Sequence, residues 1–414
     1  MTPVRHLPPV HSPLGVRALA AGARALLAGD DRTPLVRDLV ERHWGARDVL
    51  LTASGTDALV LALRAAAAGR GAPPVALPAY GCYDLATAAD AANLPVVLYD
   101  LDPGTLAPEP DSLARALAAR PCALVVAHLY GVPVDTRTLE PLAAAAGALL
   151  IEDAAQGAGA SLRGRPAGAL GPVSILSFGR GKGMTGGAGG ALLAKDASGQ
   201  AIVRRARLRI GSGRAGWRDL SGAAAQWALA RPATYALPAA LPFLQLGETV
   251  YHPPVPPCRI SRAAAGVLAS GWERSLADAT ARRRNAVRLL AALHAALHGA
   301  GIGTPSIVAG GAAGWLRLPV VLDGENGMRA RTVDARRLGI VPGYPRALSD
   351  LDGFRSRVLN ARDDFPGSRQ LATSLVTLPT HALLAERDLL ALEAWIGGLR
   401  SAAVVPETLM SVTR

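Results

Sequence analysis

Lysine is nearly missing from this chain of 414 residues. Only Lys182 and Lys195 occur, so arginine supplies the other 42 of its 44 cationic side chains. Cysteine is scarce as well: Cys82, Cys122 and Cys258 stand far apart, with no C-x-x-C and no zinc-like His/Cys spacing. That excludes a disulfide framework, offers no metal site and fits a reducing cytoplasm. Aromatic residues make up 4% and charged residues 18%, while 50% of the chain is hydrophobic. Disorder requires the opposite balance. The most apolar long stretch, Ala223 to Leu246, is broken by Arg231, Pro232, Pro238 and Pro242. It makes a poor spanning helix, and a pair of short packed helices is expected in preference to a membrane-docking arm. The start, M-T-P-V-R-H-L-P-P-V-H, has prolines and histidines where a secretory signal needs an apolar core, so a cytoplasmic location is expected.

The length predicts two or three domains at roughly 100–200 residues each. A net charge of +12 spread along the whole chain reads as compositional bias, in company with abundant Ala, Gly and Pro. Nucleic-acid footprints are clustered and often interleaved with aromatics, so no nucleic-acid partner is expected. The one dense stretch, Arg204, Arg205, Arg207, Arg209 and Arg214, reads as a solvated helix face or an anion contact.

Helical patterns at Val16–Ala28 and Leu35–His43 precede a short strand at Val49–Thr52. A small-residue turn, Ser54-Gly55-Thr56-Asp57, then opens a helix over Ala58–Ala68, which leaves free backbone N–H groups where an anion can sit. Strands at Pro74–Pro78, Pro95–Tyr99, Cys122–Ala127, Ala148–Ile151 and Val173–Phe178 alternate with helices at Tyr83–Ala92, Leu113–Ala119 and Leu139–Ala146. This pattern argues an α/β fold with a mostly parallel sheet sandwiched by helices. Ligands in such sheets gather at the carboxyl ends of the strands, where His128, Asp153 and Ser177 fall. The Pro-rich stretch His252–Pro257 marks a boundary. Beyond it, a long helix at Ser261–Leu297, a strand at Leu316–Leu322 and helices at Arg329–Leu338 and Leu383–Leu399 read as a smaller α+β domain. The division is 1–30 as an N-terminal helical segment, 31–257 as the large α/β domain and 258–414 as the C-terminal domain.

Lys182 lies in S-F-G-R-G-K-G-M-T-G-G-A-G-G, Ser177 to Gly190, where glycines let a ligand approach the backbone. Arginine cannot form a Schiff base; lysine can, once burial or a neighbouring cation such as Arg180 lowers its pKa. Lys195, in A-K-D-A-S-G, reads as an exposed turn. Asp153 follows the apolar run Ala148–Ile151 and needs a cationic or hydrogen-bonding partner. His128 reads either as a packed, satisfied residue or as an acid, base or substrate contact. An anion-binding turn, a strand-end carboxylate, a serine and a glycine-flanked lysine together point to pyridoxal 5'-phosphate (PLP). Its phosphate needs N–H groups and hydroxyls, its ring nitrogen a carboxylate and its aldehyde an amine.

The ordered set S-G-T-D-A-L, P-A-Y-G-C-Y, H-L-Y-G-V-P-V-D, I-E-D-A-A-Q-G-A-G-A and S-F-G-R-G-K-G-M-T-G-G-A-G-G resembles the DegT/DnrJ/StrS family of fold-type I PLP enzymes. The resemblance is strong over Leu50–Ala194 and looser to the C-terminal helix. It implies that Lys182 is the Schiff-base lysine, Asp153 the partner of the ring nitrogen and Gln156 the residue beside the cofactor's hydroxyl. Ser177, Gly55, Thr56 and Asp57 match the phosphate contacts. An aromatic ring usually stacks on the cofactor after the proline. That position falls on Cys82, flanked by Tyr80 and Tyr83, and Tyr83 is the residue favoured here. Two departures stand out: Ala188 occupies an acidic position, and Pro257 replaces an asparagine that reaches the partner subunit's phosphate. Trp217–Pro257 resembles an insertion relative to short members.

The resemblance implies an aminotransferase moving an amino group from an amino acid, expected to be glutamate, to a nucleotide-linked keto-sugar, in polysaccharide or amino-sugar biosynthesis. It also implies a homodimer. Arg209, Arg259 and Arg346 are candidates for holding a diphosphate. A sugar dehydratase is the first rival; that branch generally has histidine in place of the lysine. A PLP-binding regulatory or scaffold protein is the second.

Overall fold

The computed structural model describes residues 5–213, 216–241, 251, 253–296 and 303–399. Its central sheet has seven strands: β1 (Asp48–Thr52), β2 (Val75–Pro78), β3 (Val96–Tyr99), β4 (Ala123–Ala127), β5 (Leu149–Asp153), β6 (Val173–Ser177) and β7 (Gly190–Ala194). They lie in the order β1-β7-β6-β5-β4-β2-β3. Pairs from β3 through β6 are parallel, while β7 runs antiparallel to both β1 and β6. The alternation of strands and helices is as the sequence implies, with β7 as the addition. Its residues, G-A-L-L-A, are all buried and so carry no period-two signature; they read as the tail of the glycine-rich loop.

Alternate side chains feed two apolar layers. Val49, Leu51, Leu176, Ala191 and Leu193 meet Val36, Val40 and Trp44 of the helix Thr33–Trp44, and Leu268 and Trp272 of the long helix Arg262–Ala296. Leu50, Ile175, Leu192 and Ala194 face the other way, against the helices Gly55–Ala67 and Ala197–Arg207. That second layer runs on without a break into a three-stranded antiparallel sheet of Leu318–Val321, Leu375–Leu378 and Val341–Pro342. The strand Leu375–Leu378 was not among the strands expected from the sequence. The helical stretch expected at Arg329–Leu338 is instead two short helices, Gly324–Arg329 and Val333–Arg337. Thr332 divides them: its hydroxyl accepts from the Ala335 N–H and starts a new helix.

The expected insertion begins with the helix Trp217–Leu229 and a short turn of helix at Ala236–Ala239. Residues 242–250 and 252, and Arg214 of the arginine-rich stretch, lie outside the described residues. Among the described residues no helix is long and apolar enough to cross a membrane.

Candidate active site

At the carboxyl ends of β5 and β6 lies a cavity that is partly open to solvent. Its walls include Gly55, Thr56, Cys82, Asp84, His128, Asp153, Ala155, Gln156, Ser177 and Lys182. Six of the eight site residues expected from the sequence therefore meet here; Asp57 and Tyr83 are not on the wall.

The turn after β1 forms one end. The Ser54 Oγ caps the helix Gly55–Ala67 by accepting from the Asp57 N–H at 3.0 Å. The start of that helix faces the cavity with backbone donors and the positive end of its dipole. Gly55 has to be small, because a β-carbon there would come within 2.8 Å of the Ser177 Cβ. Asp57 sits beneath this turn. Its carboxylate accepts from the Ser54 Oγ at 3.0 Å and the Cys258 N–H at 3.1 Å, so it anchors the helix start and does not face the cavity.

Strand β5 ends in two carboxylates that point opposite ways. Glu152 is buried and accepts from His128 Nε2 at 2.9 Å, the Leu170 N–H at 2.8 Å, the Gly171 N–H at 2.9 Å and the Ser174 Oγ at 2.7 Å. Burial pushes its pKa up, but these hydrogen bonds outweigh burial and hold it below the ordinary value. Asp153 faces the cavity. It accepts from the Ala155 N–H at 3.0 Å, and burial raises its pKa against the opposing pull of that bond and of Lys182. Among the described residues the Ala155 N–H is its one hydrogen-bond donor, which leaves the carboxylate open to a cationic or N–H partner in the cavity.

His128 resolves as a satisfied residue. Its Nδ1 accepts from the Val134 N–H at 3.1 Å, so its Nε2 is the donor to Glu152. Neither nitrogen is left to exchange a proton with a substrate. Gln156 is fixed too: its Oε1 accepts from the Tyr130 N–H at 2.8 Å and its Nε2 donates to the Tyr344 hydroxyl at 2.6 Å. Tyr344 comes from a distant stretch with no local signal in the sequence. Its own N–H donates to the Tyr80 hydroxyl, which meets the Tyr130 hydroxyl at 3.1 Å.

Cys82, not Tyr83, forms the wall after Pro78. Burial pushes the Cys82 thiol up to about 12, so it is a neutral packing surface. Tyr83 is turned away because it immediately precedes the helix Asp84–Ala92. Its hydroxyl accepts from the Arg346 N–H at 3.0 Å, and its ring lies 6.3 Å from that of Tyr344. Arg180, Arg209, Arg259 and Arg346 are exposed and off the wall; Arg346 pairs with Asp352. Lys195 is not an exposed turn. It is half-buried, and its Nζ donates to the carbonyls of Trp44 and Gly45, where the helix Thr33–Trp44 ends.

These features can hold a dianion at the helix start and Ser177, a cationic ring nitrogen at Asp153 and an aldehyde at Lys182. The hydroxyl of Ser177 beside the helix start at Gly55, the carboxylate of Asp153 facing the cavity and the amine of Lys182 fit the groups that PLP presents.

A model of the DegT/DnrJ/EryC1/StrS aminotransferase family matches residues 20–392. The chain is 33% identical over 181 residues to 3-amino-5-hydroxybenzoate synthase of Amycolatopsis mediterranei, covering 44% of this chain and 46% of that protein. It is 38% identical over 143 residues to L-glutamine:2-deoxy-scyllo-inosose aminotransferase of Streptomyces kanamyceticus, covering 34% and 33%. The aligned stretches thus span less than half the length of these curated relatives. A sugar aminotransferase from Micromonospora echinospora shares the fold, with a TM-score of 0.73 at 23% identity over 94% of this chain and 99% of that one. So does GDP-4-keto-6-deoxy-D-mannose-3-dehydratase of E. coli, with bound hydrated PLP, at a TM-score of 0.72 and 14% identity over 95% and 99%.

Proposed function

The chain belongs to the DegT/DnrJ/EryC1/StrS aminotransferase family, and on that premise we propose that it is a PLP-dependent aminotransferase acting on a keto-sugar. The observation that carries this reading is the position of Lys182 on the wall shared by Asp153, Gln156, Ser177 and the helix start at Gly55–Thr56. When bound, PLP supplies an aldehyde for the lysine and a ring that draws electrons from the carbon losing its proton.

Each residue then has a task. Gly55, Thr56 and Ser177 hold the phosphate, while Asp57 keeps the helix start in place from beneath. Asp153 would hold the ring nitrogen and favour its protonated form. Gln156 sits beside the cofactor's hydroxyl, held from both ends by Tyr130 and Tyr344. Cys82 provides the packing surface against the ring. Lys182 would bear the aldehyde and, as a free amine beside the cavity, would be the base that takes the proton from the donor Cα. The lysine also favours this reading over a dehydratase.

The donor is an amino acid, with glutamate and glutamine as the two to compare, since similar proteins are named for glutamine. A nucleotide-linked keto-sugar stays the proposed acceptor. A free cyclic polyol ketone is its competitor, because a similar protein is named for one. The proposed assembly is a homodimer. Residues 31–257 would carry the cavity, with 1–30 and 258–414 as its flanking units.

The test is an absorption spectrum of the purified protein and of Lys182→Ala, each with glutamate and with glutamine. A visible cofactor band that a donor bleaches, absent in the variant, is expected. A band that neither donor changes favours a regulatory or scaffold role. No band after reconstitution overturns the reading.

A further inference from the structure

Residues 5–14 run ahead of the first helix, Val16–Leu27, and are fastened along their length. The Arg5 guanidinium grips Asp388 at 2.6 Å through two nitrogens. The His6 and Leu7 N–H groups donate to the carbonyls of Pro232 and Arg337, and the Pro8 carbonyl meets His381 Nε2 at 2.8 Å. Ser12 is where this strap meets the glycine-rich segment. It is buried, and its hydroxyl spends both of its roles: the Oγ accepts from the Gly181 N–H at 2.9 Å and donates to Gln226 Oε1 at 2.9 Å.

Gly181 is the residue before Lys182. It holds a left-handed φ of +71, and a β-carbon there would press to 2.9 Å on Val10 of the same strap. Gln226 belongs to the helix Trp217–Leu229, which also reaches the far side of the lysine. Gly187, with φ +79, leaves room only for Ala223, whose methyl would lie 2.6 Å from an added β-carbon. Lys182 therefore sits on a segment held at both shoulders by one helix, directly at Gly187 and through Ser12 at Gly181.

We propose that Ser12 is a positioning residue for Lys182, relaying the placement of the helix Trp217–Leu229 to the backbone that carries the lysine. The proposal rests on the reading of Lys182 as the cofactor-bearing amine. Without the Ser12 Oγ, the Gly181 N–H is a buried donor with no acceptor, and turning that peptide towards another partner swings the Lys182 Cα. Removing the Gln226 acceptor frees the Ser12 hydroxyl to rotate and acts in the same direction.

The test uses the full-length protein with its cofactor and the variants Ser12→Ala, Ser12→Thr, Gln226→Leu and Arg5→Ala. One readout is the pH titration of the visible band of the lysine-bound cofactor. The other, which needs no cofactor, is amide hydrogen exchange across residues 178–187, with the thermal unfolding midpoint followed in parallel. Ser12→Ala and Gln226→Leu are expected to move the midpoint of the band titration by about half a unit in a common direction. They are also expected to raise exchange in 178–187 by about tenfold. Ser12→Thr, which keeps the hydroxyl, should restore both. Arg5→Ala, which loosens the strap at its other end, should lower the unfolding midpoint and leave the band in place. A Ser12→Ala titration and exchange pattern that superimpose on the wild type overturn the proposal, as does an Arg5→Ala variant that moves the band equally. A wild-type protein with no visible band overturns the cofactor reading of Lys182, and the exchange result then decides the role of Ser12.

Discussion

The Gln156 side-chain amide donates to the Tyr344 hydroxyl at 2.6 Å, although 188 positions separate the two residues in the chain. The bond ties the turn after β5 to the residues just past the strand Val341–Pro342 of the small antiparallel sheet, and it leaves Gln156 a single orientation. Replacing Tyr344 by Phe removes the acceptor and leaves a buried amide N–H unpaired, a loss of about 1–3 kcal/mol. Weaker PLP binding by roughly tenfold is expected in a titration of the apoprotein. A Tyr344→Phe titration identical to the wild type would show that the bond does not orient Gln156.

Glu152 makes stability depend on acid. Its pKa is lowered in the folded state, so its contribution is complete above the unfolded value near 4.5 and is lost as pH falls through the folded value. The urea midpoint should therefore drop on acidification from about pH 4.5 downwards. In Glu152→Gln, an amide NH2 faces donors that need acceptors, and a destabilisation of about 3–5 kcal/mol at pH 7 is expected. A flat urea midpoint between pH 5 and pH 3 would contradict the burial of this carboxylate.

Asp153 has the opposite sign. Burial raises its pKa, so the cofactor-free protein holds its charged form at a disadvantage. Asp153→Asn should raise the melting temperature of the apoprotein while slowing the donor half-reaction by about a hundredfold or more. A variant that is both less stable and fully active would refute the assignment.

The Cys82 thiol, held at about 12, is about one part in ten thousand thiolate at pH 8. Alkylation by iodoacetamide should therefore be slow in the native apoprotein and fast only after unfolding, as read by peptide mass mapping. Rapid native labelling at Cys82 would place the residue in a more polar setting than the one seen.

Lys195 offers a control. Its ammonium closes the carbonyl end of the helix Thr33–Trp44. Lys195→Ala should lower stability by about 1 kcal/mol and leave the cofactor band unchanged. A lost band would mean that the second lysine, and not Lys182 alone, bears on the cofactor.

What the sequence made legible was local. Asp153, Ser177 and the Ser54–Thr56 turn stand where strands give way to small residues, and any chain folded this way brings those ends together. Lys182 was conspicuous because lysine is so rare. Three other features needed the fold. Cys82 and Tyr83 differ by one position, and only the start of the helix Asp84–Ala92 decides which of them faces the cavity. Glu152 and Asp153 are neighbours of like charge, and the pleat of β5 sends one into a nest of donors and the other into the cavity. Tyr344 reaches Gln156 by tertiary packing, which no window of adjacent residues reports.

The reversed strand β7 bears on how the lysine is carried. Ser177 and Gly190 are paired across the β6–β7 ladder, so residues 178–189 form a loop whose two ends are closed by the sheet itself. The entropy of bringing those ends together is met by the sheet, and not by the contacts Lys182 makes inside the cavity. The bonds inside the loop, from the Gly186 N–H and the Thr185 hydroxyl to the Phe178 carbonyl, then have only its shape to fix and not its span. An added or deleted residue between Ser177 and Gly190 would change the reach of the amine while leaving both flanking strands in register.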